Sequence, residues 1–94
     1  MYKVDQKSVV WRKIEGEIVI LNLSTGHYYT LNEVGLVLWE GILRKLSPEE
    51  IARKIADEFE VAYKTALKDT CECIDQLIQE GIAAGPTVSP AKKK

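Results

Sequence analysis

Apolar residues crowd the first third of the chain and then change period. Val9-Val10-Trp11-Arg12-Lys13-Ile14 is rich in β-formers, and Glu15-Gly16 makes a tight turn after it. Glu17-Ile18-Val19-Ile20-Leu21-Asn22-Leu23 is nearly all apolar, the pattern of a central strand touched on both faces. Ser24-Thr25-Gly26 fits a short hairpin loop in which glycine supplies a positive φ, and His27 to Leu31 follows as a short aromatic third strand. Such a meander leaves its first and third strands as edges with unpaired N–H and C=O groups.

The period then shifts to that of helices. Asn32 is a good N-cap, and Val34, Val37, Leu38 and Ile42 recur at helical spacing until about Leu43-Arg44-Lys45. In Ser47-Pro48-Glu49-Glu50, Ser caps, Pro takes the first helical position and Glu50 returns a bond to the cap. Ile51, Ile55 and Phe59 form the apolar stripe of that second helix. A third helix should run from about Tyr63 to Glu80 and stop at Gly81, a residue suited to a left-handed cap. On a helical wheel, Tyr63, Ala66, Leu67, Thr70, Cys73, Ile74, Leu77 and Ile78 fall on its apolar side. Lys64, Lys68, Glu72, Asp75 and Gln79 fall on or near the other, and Asp69, Cys73, Gln76 and Glu80 lie along one border.

This order predicts an α+β fold: a three-stranded antiparallel sheet followed by three helices, winged-helix-like, with the helices on one face burying Val19, Leu21 and Leu23. Residues 1–8 read as an N-terminal extension and 9–83 as the domain. Residues 84–94 read as a disordered tail, because Gly85-Pro86-Thr87-Val88-Ser89-Pro90-Ala91 has neither periodicity nor capping chemistry.

Composition narrows the function. Ninety-four residues make one domain, and the formal charge of −1 hides an excess of nine acidic over four basic side chains in residues 47–91. Binding to phosphate backbones rests on clustered Lys and Arg, so nucleic acid is disfavoured as a partner. No run approaches the roughly 20 apolar residues that span a bilayer. The N-terminus lacks the apolar core of a signal peptide, so a cytoplasmic protein without membrane partners is expected. Cys71 and Cys73 sit about 200° apart on a helix. They cannot pair there or complete a zinc site, and read as reduced structural thiols. His27 is the one histidine, and no activated nucleophile, phosphate loop or paired-carboxylate motif appears. Neither enzymatic activity nor a cofactor or metal is expected.

Tyr28 and Tyr29 must point to opposite faces of the third strand, one into the core and one outward or onto a groove. Trp11 and Trp39 read as packing residues. Asp69 at the border of the apolar arc either satisfies a backbone group or an Arg such as Arg12, or contacts a ligand. A small chain with an open edge strand, a helix behind it and no catalytic motif is suited to holding another polypeptide.

The ordered set Trp11-Arg12, Glu17, Gly26-x-Tyr28-Tyr29-x-Leu31-Asn32-x-x-Gly35, Trp39, Ser47-x-x-Glu50-Ile51-Ala52 and Asp69-x-x-x-Cys73-Ile74-x-x-Leu77-x-x-x-Gly81-Ile82 resembles the PqqD-like family. The resemblance runs from about Val9 to Ile82. It implies a peptide-recognition domain of pathways that modify ribosomally made peptides. The leader of a precursor peptide would add as a strand to the third strand, in a cleft walled by the last helix, and the peptide would be presented to a modifying enzyme or leader peptidase. The implied contact residues are His27, Tyr28, Tyr29, Thr30, Leu31, Leu67, Asp69, Thr70, Cys73, Ile74 and Leu77. Members devoted to pyrroloquinoline quinone carry Pro-Glu-Gly before the third strand, where this chain has Leu23-Ser24-Thr25-Gly26. A lasso-peptide or radical-enzyme pathway is therefore favoured. Where the family commonly has a large aromatic, Cys73 implies a deeper pocket. The alternatives are a winged-helix nucleic-acid binder and a regulatory module that binds only protein. The protein is expected as a monomer or weak dimer.

Overall fold

The β-formers that open the chain make an antiparallel sheet, and the helical segments pack on one of its faces. The computed structural model describes residues 2–4 and 7–85. In chain order its elements are β1 (Lys3–Val4), β2 (Val9–Ile14), β3 (Glu17–Asn22), β4 (Tyr28–Leu31), α1 (Glu33–Leu43), α2 (Pro48–Phe59), α3 (Tyr63–Gln79) and β5 (Ala83–Ala84). The main sheet has the order β2-β3-β4, which leaves β2 and β4 as its edges. The expected α+β arrangement of three strands followed by three helices is therefore present. No helix among the described residues is long and apolar enough to cross a membrane.

The register decides what each face carries. Trp11 pairs with Ile20 and Ile20 with Tyr29, while Arg12 pairs with Val19 and Val19 with Thr30. Ile18, Ile20 and Asn22 are the buried residues of β3, and they meet Leu38, Trp39 and Ile42 of α1 in the core. Trp11 and Trp39 pack edge to face, with centroids 5.3 Å apart, the geometry that aromatic quadrupoles favour. The expectation that the helices bury Val19, Leu21 and Leu23 is thus corrected. Val19 and Leu21 lie on the opposite face and Leu23 is exposed. An all-apolar strand has no polar alternation to report its phase, and a shift of one residue exchanges the two faces. Val10, Ile14 and Tyr28 accordingly stand exposed on the outer face.

The caps follow the local chemistry. Asn32 Oδ1 accepts from Gly35 N–H at 3.0 Å. Ser47 and Glu50 form the reciprocal capping box, at 2.8 and 3.1 Å. After α3, Gly81 has φ +74°. Gly81 N–H donates to Ile78 C=O and Ile82 N–H to Leu77 C=O, the paired bonds of a Schellman motif.

The segment read as an extension contributes to the body. Tyr2 is buried in the core, and β1 pairs antiparallel with β5, joining the two ends of the described chain. Asp75, assigned from the wheel to the polar side of α3, is instead 1% exposed. The wheel records only the helix's own pattern, and this side lies beside Tyr2: burial raises the Tyr2 phenol pKa, and the nearby Asp75 charge raises it further. Of the tail expected over 84–94, residues 86–94 lie outside the described residues.

Candidate functional site

β4 is an open edge whose hydrogen-bonding phase can be read from its neighbours. Asn22 N–H donates to His27 C=O at 2.9 Å, which makes that pair a bonded one. Bonded pairs recur every second residue in an antiparallel ladder, so Tyr29 and Leu31 face Ile20 and Ile18. On the other side of β3, Leu23 N–H donates to Ser8 C=O at 2.7 Å, and the alternation agrees. The N–H and C=O groups of Tyr28 and Thr30 therefore point to the open edge. Their side chains lie on the outer face, while Tyr29 and Leu31 turn toward the helices.

Beside the inward face of β4 lies a groove of about 350 Å³, within the range of ligand pockets. It is lined by Leu31 of β4, Val34 and Leu38 of α1, Phe59 of α2, and Asp69, Thr70 and Cys73 of α3. Gly35 also lines it, and the missing side chain lets α1 back closely onto Leu31. The lining is predominantly apolar. Burial pushes the Cys73 thiol pKa up, so the thiol stays neutral and adds to the apolar wall. Thr70 is 1% exposed and its Oγ1 has no hydrogen-bond partner among the described residues.

The last turn of α3 ties that helix to the sheet. Tyr29 O–H donates to Glu80 Oε1 at 2.6 Å and Gln76 Nε2–H donates to Glu80 Oε2 at 3.0 Å. Asn22 Nδ2–H donates to Glu80 C=O at 3.0 Å, and Asn22 Oδ1 accepts from Ser24 N–H at 2.9 Å. The bond to Glu80, with some desolvation, raises the Tyr29 phenol pKa. The helix border named from the wheel thus faces the cleft along its length: Asp69 and Cys73 at the cavity, Gln76 and Glu80 at the tie.

Of the residues expected to make contact, Leu31, Asp69, Thr70 and Cys73 meet around one cavity. Tyr28 and Thr30 supply outward backbone, Tyr29 supplies the tie, and His27 is exposed just before β4. Ile74 and Leu77 are buried in the core and Leu67 packs against it, away from the groove lining. Arg12 lies on the outer face of β2 and is not the partner of Asp69. Sequence reasoning missed Val34, Leu38 and Phe59. They stood in the apolar stripes of α1 and α2, which report an inward face without telling which part of it stays uncovered.

A family model described as coenzyme PQQ synthesis protein D (PqqD) matches residues 17–83. Among solved structures, "TbiB1 in Complex with the TbiA(beta) Leader Peptide" is 30% identical, with 92% of this chain and 99% of that chain covered and a TM-score of 0.82. "Lasso peptide synthetase B1 complexed with the leader peptide" shares the fold at 21% identity, with 89% and 98% covered and a TM-score of 0.80. No curated protein matches the chain in sequence.

Proposed function

The chain belongs to the PqqD family, and on that premise we propose that it binds the leader of a precursor peptide as an added strand on β4 and presents the peptide to a modifying enzyme or leader peptidase. The observation that carries this reading is the juxtaposition of an unpaired edge with an apolar groove. Tyr28 and Thr30 turn their backbone groups outward, and the cavity lies beside Leu31 on the face to which an added strand would turn alternate side chains. Strand addition suits such a task because backbone bonds hold any extended segment, while pockets at alternate positions choose the anchors. The relative that is 30% identical carries a leader peptide in its structure, which supports the same ligand class here.

The protein itself does no chemistry in this reading. Its groove brings together apolar side chains, a neutral thiol and one exposed carboxylate, with no base aligned on a nucleophile. A lasso-peptide pathway fits best, since the segment before β4 lacks Pro-Glu-Gly and a lasso peptide synthetase component shares the fold. The outer face of the sheet, with Val10, Ile14 and Tyr28 exposed, leaves room for the enzyme to approach.

Calorimetry with the synthetic leader at two salt concentrations tests the proposal. Binding should be on the order of micromolar or tighter, with a modest salt dependence. Amide shifts should concentrate in 27–31 and along the groove side of α3, with little change over Glu49–Lys54 of α2. Absence of heat with the leader, together with steeply salt-dependent binding to DNA, would overturn it.

A further inference from the structure

We infer that the groove reads two alternate side chains of its ligand: an apolar anchor beside Leu31 and, two residues from it, a cationic hydrogen-bond donor directed at Glu80. This rests on the strand-addition reading above and specifies the sequence class that the site selects.

Tyr28 and Thr30 present the outward backbone of β4. Ligand residues opposite Tyr29 and Leu31 therefore turn their side chains to the inner face, where Tyr29 and Leu31 also point. Residues that share one face of a strand are two apart whether the strand adds parallel or antiparallel, so the spacing holds for either direction. The two inner positions meet different chemistry. Beside Leu31 lies the apolar cavity backed by Cys73. Beside Tyr29 lies the Glu80 carboxylate.

That carboxylate is held and incompletely used. Its oxygens accept one bond from Tyr29 and one from Gln76, and its backbone is held by the buried Asn22. A carboxylate offers about four acceptor sites, so capacity for a further donor remains. The ion pairs formed among the described residues, Lys13 with Glu40 and Lys68 with Glu72, do not include Glu80. Glu80 is also the C-cap of α3, where the helix dipole adds negative potential. A lysine or arginine on the added strand meets two attractions at once. An acidic residue there meets repulsion from both.

The probe is a library of acetylated, amidated dodecapeptides with one central leucine fixed and all other positions varied, selected on the full chain. Wild type should enrich Lys or Arg two residues from the leucine. The Lys-bearing peptide should bind about two- to fivefold more tightly than its Gln counterpart, as expected for a partly solvated ion pair. Glu80→Gln keeps the shape and the Tyr29 contact. It should erase the preference while leucine-dependent binding persists. Glu72→Gln, on the exposed side of α3 where it pairs with Lys68 and outside the groove lining, should leave the Glu80-dependent preference in place. Leucine-dependent binding without a cation preference, or a preference that survives Glu80→Gln, overturns the inference and leaves strand addition standing. Failure of every peptide to shift the amides of 28–31 overturns strand addition, and the inference with it.

Discussion

Gly35 backs directly onto Leu31: a Cβ added to Gly35 would stand 2.6 Å from the Leu31 Cβ. That distance is below any normal carbon contact, so α1 reaches β4 only because residue 35 has no side chain. The same approach sets Leu31 against the groove that it lines.

Gly35→Ala should therefore strain the wall of the site. Overpacking of this kind costs about 1–3 kcal/mol, and chemical denaturation would measure the loss. Leader affinity should fall with it, because Leu31 must shift. A variant as stable as wild type with unchanged affinity would show that α1 can move away without consequence.

The phase of the β4 ladder makes two proline variants behave differently. Thr30→Pro removes an N–H that points to the open edge and leaves the bonds to β3 intact. It should stay folded and bind the leader about tenfold or more weakly. Tyr29→Pro removes a donor to Ile20 inside the sheet, so its first effect should be a lowered melting temperature. Equal behaviour of the pair would contradict the phase deduced from Asn22 and His27.

Side chains on the two faces of β4 should also separate. Tyr28 is 70% exposed on the outer face, so Tyr28→Ala should change leader affinity little. Cys73→Trp fills the groove from the α3 side and should block the anchor, at about 1–3 kcal/mol of stability if its surroundings cannot yield. Titration calorimetry on variants shown to be folded compares the two. A Cys73→Trp protein that binds as wild type would exclude this groove as the anchor site.

Alkaline conditions should destabilise the fold. Tyr2, Cys71 and Cys73 have raised pKa values, chiefly through burial, and Tyr29 chiefly through its bond to Glu80. Between the ordinary and the raised value the folded state holds more protons than the unfolded one, so stability falls as pH rises. The contribution is intact below the ordinary values of 9.0 for the thiols and 10.0 for the phenols, and is lost above them. Melting curves from pH 8 to 11 should show the decline, reduced at its lower end in a Cys71→Ala, Cys73→Ala protein. A flat profile would contradict the assigned shifts.

Local chemistry determined much of this protein. Asn32, Ser47-Pro48-Glu49-Glu50 and Gly81 specify where helices start and stop because their bonds close within a few residues. The change from β-branched runs to helical periods specifies a sheet followed by helices. Even the cleft-facing border of α3, Asp69 to Glu80, is visible on a wheel. What only the tertiary structure decided is which side of each element meets another. The phase of β3 is hidden because both of its faces are apolar, so packing chose Ile18, Ile20 and Asn22 over Val19, Leu21 and Leu23. Asp75 is buried on a side of α3 that lies near Tyr2, seventy-three residues earlier in the chain. The groove exists because α1 and α3 each pack against α2 and leave a space between them beside Leu31. Periodicity records that a face is apolar, but the space left between packed faces depends on distances that no single segment encodes.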